Sequence, residues 1–335
     1  MRFGLIGTNF ITEWLLAGAA HIEDFEATAV GSRSMETGRA FADKYGIEHV
    51  FTDFEEMAKS GLVDAVYVAT PNYCHARIAN LFLSHGIPVL GEKPFAANAR
   101  EVESMLETAD KNGTFVMEAI KSLYVPEFDA IRAQFPKIGK LRRAVLQMNR
   151  YSSRYDLYLE GKNPNTFNKA LANGAIMDMG VYNVQLAVAL FGAPKTITAT
   201  GVLLEEGRGV DGVCTVILGY GDFECVCMTS KVNTSHLPCE IGGELGSVTF
   251  SMSGALENIK LYDNKGNCTD VDAKNPLPHK DNMYYELCAF MQQVKHPDPA
   301  FSEKTRVQER EVIRILDEAR RQIGLVFDND TQEMF

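Results

Sequence analysis

The chain has 335 residues, of which 46% are hydrophobic and 23% are charged, as is typical of a soluble globular protein with two domains. It carries 33 basic and 44 acidic residues, and this net charge of -11 argues against nucleic acid or a membrane surface as a partner. No apolar run approaches the roughly 18 residues of a membrane span. Seven scattered cysteines indicate neither a disulfide framework nor a metal site, so we expect a cytoplasmic protein.

Strands and helices alternate regularly over the first 120 residues. Apolar runs that suit buried strands are each followed by a helical pattern, and they lie at residues 2–7, 27–30, 62–69, 89–90 and 115–118. Such alternation predicts parallel strands joined by right-handed crossovers, in a doubly wound α/β sheet of about six strands. We therefore predict a dinucleotide-binding domain over residues 1–120.

The first strand-to-helix turn, Gly7-Thr8-Asn9-Phe10-Ile11-Thr12, lies where the dinucleotide-binding fingerprint Gly-x-Gly-x-x-Gly would fall. Only the first glycine is present. Asn9 stands at the second glycine position, and asparagine tolerates a left-handed backbone better than most residues, so a close approach to a pyrophosphate stays possible. The following helix offers N–H groups to phosphate. The same residues also suit an ordinary turn.

Residues after two further strands would border the cofactor. Ser32 and Arg33 stand where an NAD-binding domain commonly has an acid for the ribose 2′-hydroxyl, and they suit a 2′-phosphate instead. This favours NADP over NAD, although Arg33 could also be a solvated loop residue. Thr70, Pro71 and Asn72 follow the strand at 62–69, with Asn72 placed to cap the helix that carries His75. A structural role is the commoner one for His75 alone.

The short strand Val89-Leu90 ends in Gly91-Glu92-Lys93-Pro94. Ligands collect beyond the carboxyl ends of strands in a doubly wound sheet. We therefore place Glu92 and Lys93 in the crevice and predict that Lys93 lies where cofactor and substrate meet. The alternative is a surface turn with an ordinary lysine.

The pattern changes after residue 120. Strand-like runs separated by turns lie at residues 140–151, 196–204, 212–220, 223–232, 237–241 and 247–252. Two late helices are predicted at 283–294 and 303–323, the second capped by Ser302 and ended by Gly324. We expect a substrate-binding α/β domain over 121–335 with an open, mainly antiparallel sheet. Its uncovered apolar face should pack on another subunit of a homodimer or homotetramer.

One passage of this second half does not look like scaffold. Asn173-Gly174-Ala175 leads into Asp178 and Tyr182. If a helix begins near Asp178, the carboxylate and the phenol stand one turn apart on the same side, where both can face a substrate hydroxyl. The alternative is a helix cap and a half-buried tyrosine.

Together these passages resemble the Gfo/Idh/MocA oxidoreductase family, in order and over nearly the whole chain. The segments that carry the resemblance are residues 7–11, 69–72 with His75, 91–94, 117–119, 174–182 and 316–324. The resemblance implies a Rossmann domain, an open-sheet second domain and NAD(P)-dependent hydride transfer on sugars, cyclitols or related polyols. Carried over by position, the catalytic residues would be Lys93, Asp178 and Tyr182.

With a tyrosine at position 182, the chain resembles the dihydrodiol and NADP-linked xylose dehydrogenase branch of the family. It is less similar to the inositol dehydrogenases, which have histidine at this position. That branch usually has an Arg-aromatic pair before the proline at position 126, whereas this chain has Leu123 and Tyr124, so we expect a different substrate.

The resemblance suggests a mechanism in which Tyr182 exchanges a proton with the substrate hydroxyl. A free phenol titrates near about 10, so a nearby cation is needed, and Lys93 would supply it. Asp178 would orient Lys93 or a second hydroxyl. Two alternatives stay open: a non-catalytic NAD(P)-binding sensor or partner protein, and an enzyme that uses tightly bound NAD without net redox turnover.

Overall fold

The computed structural model describes residues 1–207 and 209–331, without the side chains of residues 206 and 207. The chain forms two compact units. Among the described residues, the first contains Met1–Ala119 and Leu277–Arg310, and the second contains Ile120–Pro276 and residues 311–331.

This division differs from the predicted second domain over 121–335, because residues 277–310 pack with the first unit. Phe290 is fully buried there, and its ring centroid lies 6.0 Å from the centroids of both Phe3 and Phe115. Aromatic packing of this kind depends on tertiary contacts that periodicity along the chain does not reveal.

The first unit is built on six parallel strands, as the alternation predicted. In space they follow the order β3-β2-β1-β4-β5-β6. The strands are β1 (Arg2–Ile6), β2 (Glu26–Gly31), β3 (His49–Phe51), β4 (Ala65–Val68), β5 (Val89–Glu92) and β6 (Val116–Ala119). The helices between them are α1 (Phe10–Ala19), α2 (Met35–Tyr45), α3 (Phe54–Lys59), α4 (His75–Ser84) and α5 (Ala99–Lys111). The order reverses between β1 and β4, and ligands bind such sheets at this switch point.

Side-chain caps start several of these helices. The side chains of Ser34, Asp53 and Asn98 accept hydrogen bonds from backbone N–H groups of the first helical turn. Asn72 does not cap α4. Pro71 instead starts a short 3-10 turn in which the Cys74 N–H donates to the Pro71 carbonyl at 2.9 Å, and α4 follows directly.

The second unit contains a sheet of eight strands in the order β14-β13-β12-β11-β7-β10-β9-β8. Only β7 and β10 pair in parallel among the paired strands of this sheet in the described residues, so the expected open, mainly antiparallel sheet is confirmed. The strands are β7 (Leu141–Asn149), β8 (Thr196–Leu203), β9 (Asp211–Gly219), β10 (Glu224–Ser230), β11 (Cys239–Gly243), β12 (Gly246–Phe250), β13 (Lys260–Asp263) and β14 (Cys268–Asp270). The last two are short and largely exposed, so they lack the apolar alternation that predicts a strand.

Helix α9 (Val181–Phe191) packs against β7 and β10 of this sheet, and α7 (Phe135–Ile138) packs against β12. The other helices of this part of the chain are α6 (Pro126–Arg132), α8 (Tyr155–Leu159) and α10 (Leu204–Gly207). Together with the turns before it, α9 forms an apolar helical stretch, Lys169–Phe191, long enough to cross a membrane, but 67% of its most apolar window is buried in the protein. Such burial is typical of a core helix.

Two helices complete the chain, α11 (Met283–Lys295) and α12 (Pro299–Ile323). Helix α12 starts at Pro299 rather than at Glu303, so Ser302 is not its cap. The Ser302 N–H already donates to the carbonyl of Asp298 at 3.0 Å within the first turn. The helix ends at Gly324, which has the left-handed φ of 75° typical of a helix terminus, as expected.

Candidate active site

The turn after β1 requires a glycine at its first position. Gly7 has a φ of 110°, and a Cβ placed on it would lie 2.3 Å from the carbonyl oxygen of Ala69. Because Ala69 directly follows β4, this contact holds the carboxyl ends of β1 and β4 together. The glycine thus forms the narrow cradle expected at the switch point.

The other two fingerprint positions are filled by polar side chains that hold the turn. Asn9 has φ -92° and ψ 177°, so it does not adopt the left-handed backbone that asparagine tolerates: the residue is extended because it caps α1. Its Oδ1 accepts from the Ile11 N–H at 2.9 Å, and its Nδ2 donates to the Ala69 carbonyl at 2.9 Å. Thr12 is buried and donates to the Gly7 carbonyl at 3.0 Å.

These bonds change which donors this turn offers to a phosphate. The Ile11 N–H is occupied by Asn9, whereas the N–H groups of Thr8 and Phe10 have no partner among the described residues. Phe10 itself is exposed. A phosphate at this end of α1 would therefore meet two backbone donors and the positive end of the helix dipole.

The loop after β2 presents hydroxyl groups and an exposed guanidinium. The Oγ atoms of Ser32 and Ser34 each lie 2.8 Å from the Thr37 Oγ1, at the start of α2. Arg33 is exposed beside them. The hydrogen bond with Cys74 raises the pKa of Tyr73, and the charges of Arg77 and Arg33 oppose that rise, so a second arginine that sequence reasoning missed lies on this side of the unit.

His75 connects the ends of β4 and β5. Its Nε2 lies 2.8 Å from the Thr70 carbonyl oxygen and its Nδ1 lies 2.9 Å from the Pro94 carbonyl oxygen. Burial lowers the pKa of His75, and a neutral ring has one N–H, so it donates to one carbonyl at a time. This geometry gives His75 a structural role beside the predicted cofactor site.

The buried polar groups near the switch point fit a dinucleotide. The Thr70 Oγ1 is buried and has no hydrogen-bond partner among the described residues. Buried hydroxyls are normally satisfied, so an unsatisfied one at a strand end indicates a place for a ligand atom. Together with the Gly7 cradle and the start of α1, it is consistent with a bound NAD(P).

Glu92 and Lys93 follow β5, whose Gly91 pairs with Val68 of β4. Glu92 is buried, and its carboxylate accepts from the Tyr67 hydroxyl at 2.5 Å and from the Lys93 N–H at 3.2 Å. Glu92 therefore fixes the backbone from which Lys93 projects. Lys93 is half-buried at the carboxyl end of its strand, where the sequence placed it.

Two acidic residues of the first unit, Glu118 and Glu309, lie next to each other, which the sequence analysis did not predict. Glu309 of α12 is buried, and its Oε1 accepts from the Glu118 N–H at 3.0 Å, directly at the end of β6. Burial, and then the charge of Glu118, raise the pKa of Glu309 well above its usual value. Local patterns along the chain do not reveal this pair because its members lie 191 positions apart.

In the second unit, Asp178 lies within a helix rather than at its start. A π-helical turn, Ile176–Gly180, leads without interruption into α9, and the Asp178 N–H donates to the Gly174 carbonyl at 3.1 Å. The expected helix start near Asp178 is therefore wrong, but Asp178 and Tyr182 still lie four residues apart on one helix. Such π turns often occur at functional sites.

Asp178 forms an ion pair with a buried lysine. The Lys231 Nζ lies 2.7 Å from the Asp178 Oδ2, and the side chains are 1% and 28% exposed, respectively. Sequence reasoning expected Asp178 to orient Lys93 or a substrate hydroxyl and did not single out Lys231. Lys231 follows a strand of the mainly antiparallel sheet, where a strand end does not mark a ligand site as it does in the doubly wound sheet.

A buried carboxylate holds the entry to this helix. Asp211, at the start of β9, is 0% exposed, and its Oδ2 accepts from the Ile176 N–H at 2.7 Å. Burial raises its pKa from 3.8 to about 6, although that hydrogen bond and the charge of Lys231 oppose the rise. Gly174 is required here because its φ is 145° and a Cβ on it would lie 2.1 Å from the Asp211 Oδ1.

Tyr182 is half-buried on the next turn. A Cβ placed on Gly254 would lie 3.6 Å from the Tyr182 Cδ1, so the glycine backbone passes close to this ring. Lys93 belongs to the first unit and Tyr182 to the second, so the convergence of the two on one substrate stays a prediction. Within the described residues, no group of three or more His, Cys, Asp or Glu side chains could hold a metal ion.

Family models match both halves of the chain. An oxidoreductase family with an NAD-binding Rossmann fold covers residues 1–120, and the GFO/IDH/MocA C-terminal domain covers residues 135–249. The chain is 42% identical over 330 residues to scyllo-inositol 2-dehydrogenase (NADP(+)) IolU from Bacillus subtilis (strain 168). The match covers 98% of this chain and 99% of that relative.

The chain belongs to the GFO/IDH/MocA oxidoreductase family. This family member is also 29% identical over 343 residues to trans-1,2-dihydrobenzene-1,2-diol dehydrogenase from Mus musculus, covering 98% of this chain and 96% of the relative. A solved aldose-aldose oxidoreductase from Caulobacter crescentus, complexed with glycerol, has a TM-score of 0.81 over 96% of this chain and 98% of its own. At 18% identity, that likeness shows the fold alone.

The expected family and fold are thus confirmed. The GFO/IDH/MocA member is an NAD(P)-dependent oxidoreductase, a dehydrogenase that acts on CH–OH groups.

Proposed function

We propose that the protein is an NADP-dependent dehydrogenase that oxidises a ring hydroxyl of a cyclitol or a sugar. The observation that carries the proposal is the pair Asp178 and Tyr182 on one helix, with a carboxylate that is ion-paired on one side and partly exposed on the other. The 42% identity to an NADP-linked scyllo-inositol dehydrogenase supports a cyclitol as the substrate class.

Each residue has a separate task in this proposal. Bound NADP⁺ would supply the hydride acceptor. Tyr182 acts as its phenolate, which takes the proton of the reacting hydroxyl as the hydride leaves the carbon, and Asp178 accepts a hydrogen bond from a neighbouring hydroxyl, which fixes the ring of the polyol. The family resemblance assigns Lys93 to the nicotinamide end of the site, where its positive charge stabilises developing negative charge on the substrate oxygen.

A panel of cyclitols and aldoses tests the proposal. Turnover of each compound with NADP⁺ or NAD⁺ is followed by nicotinamide absorbance. We expect turnover with NADP⁺ and at least one cyclitol or sugar. Absence of turnover across the panel rejects it. Cofactor that stays bound through purification without a net absorbance change would favour the alternative in which NAD is used without net redox turnover.

The catalytic assignments are tested by two substitutions that retain size. Lys93→Met and Tyr182→Phe should each lower kcat by about 10²–10⁴-fold, because each removes a group that acts on the reacting oxygen. Tyr151→Phe, at an exposed tyrosine of the same unit, is the matched control for the loss of a phenol. An unchanged kcat in Tyr182→Phe would make that tyrosine a packing residue.

The preference for NADP rests on the loop after β2. Arg33, with Ser32 and Ser34, offers one guanidinium and two hydroxyls to a 2′-phosphate. Arg33→Ala should raise the KM for NADP⁺ about tenfold or more and leave the KM for NAD⁺ nearly unchanged. Arg39→Ala, an exposed arginine on α2, is the control, and equal effects on both cofactors would remove the basis for the preference.

The proposal extends to assembly and location. Val202 and Ile217, on the sheet face of the second unit that helices do not cover, are 59% and 39% exposed, and we expect this face to pair with a second copy in a homodimer or homotetramer. Ile217→Glu should reduce the assembly to monomers in light scattering, whereas a monomeric wild type contradicts the expectation. All seven cysteines are free thiols, which suits the reducing cytoplasm.

A further inference from the structure

Lys231 is among the largest fully buried side chains of the protein, although it carries a charge. Besides its ion pair with Asp178, its Nζ donates to the Thr166 carbonyl at 2.6 Å and lies 4.8 Å from the centroid of the Phe167 ring. A buried ammonium is costly unless charged and polar partners surround it, and here three different residues do so.

The backbone of Lys231 is fixed as firmly as its side chain. Its N–H donates to the Gly212 carbonyl at 3.0 Å, and its carbonyl accepts from the Ser152 N–H at 2.9 Å. These bonds attach it to β9 and to the segment that follows β7. The ammonium therefore has a defined position before any ligand binds.

The two ends of the ion pair differ in exposure, and that difference separates their roles. Lys231 is 1% exposed and cannot touch a substrate, whereas Asp178 is 28% exposed and can. Asp178 lies in the π turn that leads into α9, four residues before Tyr182. Any rotation of its carboxylate about the side-chain bonds would have to break the 2.7 Å contact with Lys231.

We propose that Lys231 is a positioning residue: it holds the Asp178 carboxylate in one orientation, so that Asp178 accepts a hydrogen bond from the polyol hydroxyl next to the reacting one. This inference rests on the proposed function. It assigns to the interior of the second unit the charge that fixes Asp178, a task for which sequence reasoning had considered Lys93.

The surroundings of Lys231 also explain why its charge matters to Asp178 more than to Asp211. Asp211 is fully buried and binds the Ile176 N–H, so it already has a fixed backbone partner. Asp178 is 28% exposed, and its 2.7 Å contact with Lys231 favours one orientation of the carboxylate. Pre-organisation of this kind lowers the cost of binding and of reaching the transition state.

A double-mutant cycle on the full-length protein with NADP⁺ tests the inference. The four proteins are the wild type, Lys231→Met, Asp178→Asn and the double variant, each assayed with the polyol that the wild type turns over fastest. We expect Lys231→Met to lower kcat/KM for the polyol about 10- to 100-fold, with the KM for NADP⁺ unchanged within about twofold. The double variant should be no slower than Asp178→Asn alone, because Lys231 acts only through Asp178.

Lys162→Met is the matched control, since Lys162 is an exposed lysine of the same unit that pairs with Glu160. Its kcat/KM should equal that of the wild type. If Lys231→Met does not fold, Lys231→Gln replaces it in the cycle, because glutamine keeps a donor for the Thr166 carbonyl but has no charge.

Three outcomes overturn the inference. Additive losses in the double variant would show that Lys231 contributes independently of Asp178, and an unchanged kcat/KM in a folded Lys231 variant would show that it contributes only to the fold. In both cases an active wild type leaves the proposed function intact. A wild type without turnover on any polyol rejects the proposed function and this inference together.

Discussion

Asp211 tests whether burial of a carboxyl group makes the stability of the second unit depend on pH. Its carboxyl is 0% exposed, and burial raises its pKa from 3.8 to about 6. Because the pKa is higher in the folded protein than in the unfolded chain, folding favours the protonated form. The stability that this group contributes is therefore present below pH 3.8 and is lost as the pH rises through about 6.

The size of the loss follows from the same two values. A difference between 3.8 and about 6 corresponds to about 3 kcal/mol at about 1.4 kcal/mol per pKa unit. Asp211→Asn removes the titration but keeps an oxygen that can accept from the Ile176 N–H. The free energy of unfolding of Asp211→Asn minus that of the wild type should thus increase by most of this amount, about 2.4 kcal/mol, between about pH 4 and about pH 7.

Urea unfolding followed by far-UV circular dichroism across this pH range measures that difference, with the transition of the second unit compared between variants. Asp270→Asn, at an exposed carboxylate on β14, is the control for a lost charge without a lost buried group. A difference between Asp211→Asn and the wild type that stays constant with pH would refute the argument that burial penalises the ionised form at this position.

Three further outcomes are expected, each measurable by thermal or urea unfolding. Gly174→Ala should destabilise by about 2 kcal/mol or more, and by clearly more than Gly266→Ala, because both have positive φ but only Gly174 would also clash. Equal losses would contradict the clash. Asn9→Ala should cost about 0.5–2 kcal/mol through the lost cap of α1, read from the fluorescence of Trp14 on that helix; no shift would mean that the cap is dispensable. Glu309→Gln should stabilise the protein more at neutral than at acidic pH, since burial raises the pKa of that carboxyl; the opposite trend would refute this.

The topology of the first unit could be predicted because it depends on patterns of residue types over short stretches of sequence. Continuous apolar runs identify the strands β4, β5 and β6, all of whose residues are buried, since both faces of a parallel sheet are covered by helices. The helix caps Ser34 and Asp53 were also predictable, because a cap depends on a side chain and a backbone N–H only two or three positions apart.

Asn9 and Ser302 show where local patterns mislead. The residue type at Asn9 permits a left-handed backbone, yet its side chain instead bonds to Ile11 and to the end of β4, which lies 60 positions away. Ser302 suits a helix cap, but Pro299 can occupy the first turn without a donor and lets α12 start earlier.

The sequence by itself determined the strand–helix alternation, the family and the positions of Lys93, Asp178 and Tyr182, because each depends on residue type and spacing over a few positions. Only the tertiary structure decided that Lys231 anchors Asp178, that Asp211 supports the turn before it, and that residues 277–310 pack with the first unit. Those relations join residues 35 or more positions apart, and burial of a charge becomes visible only once the chain around it has folded.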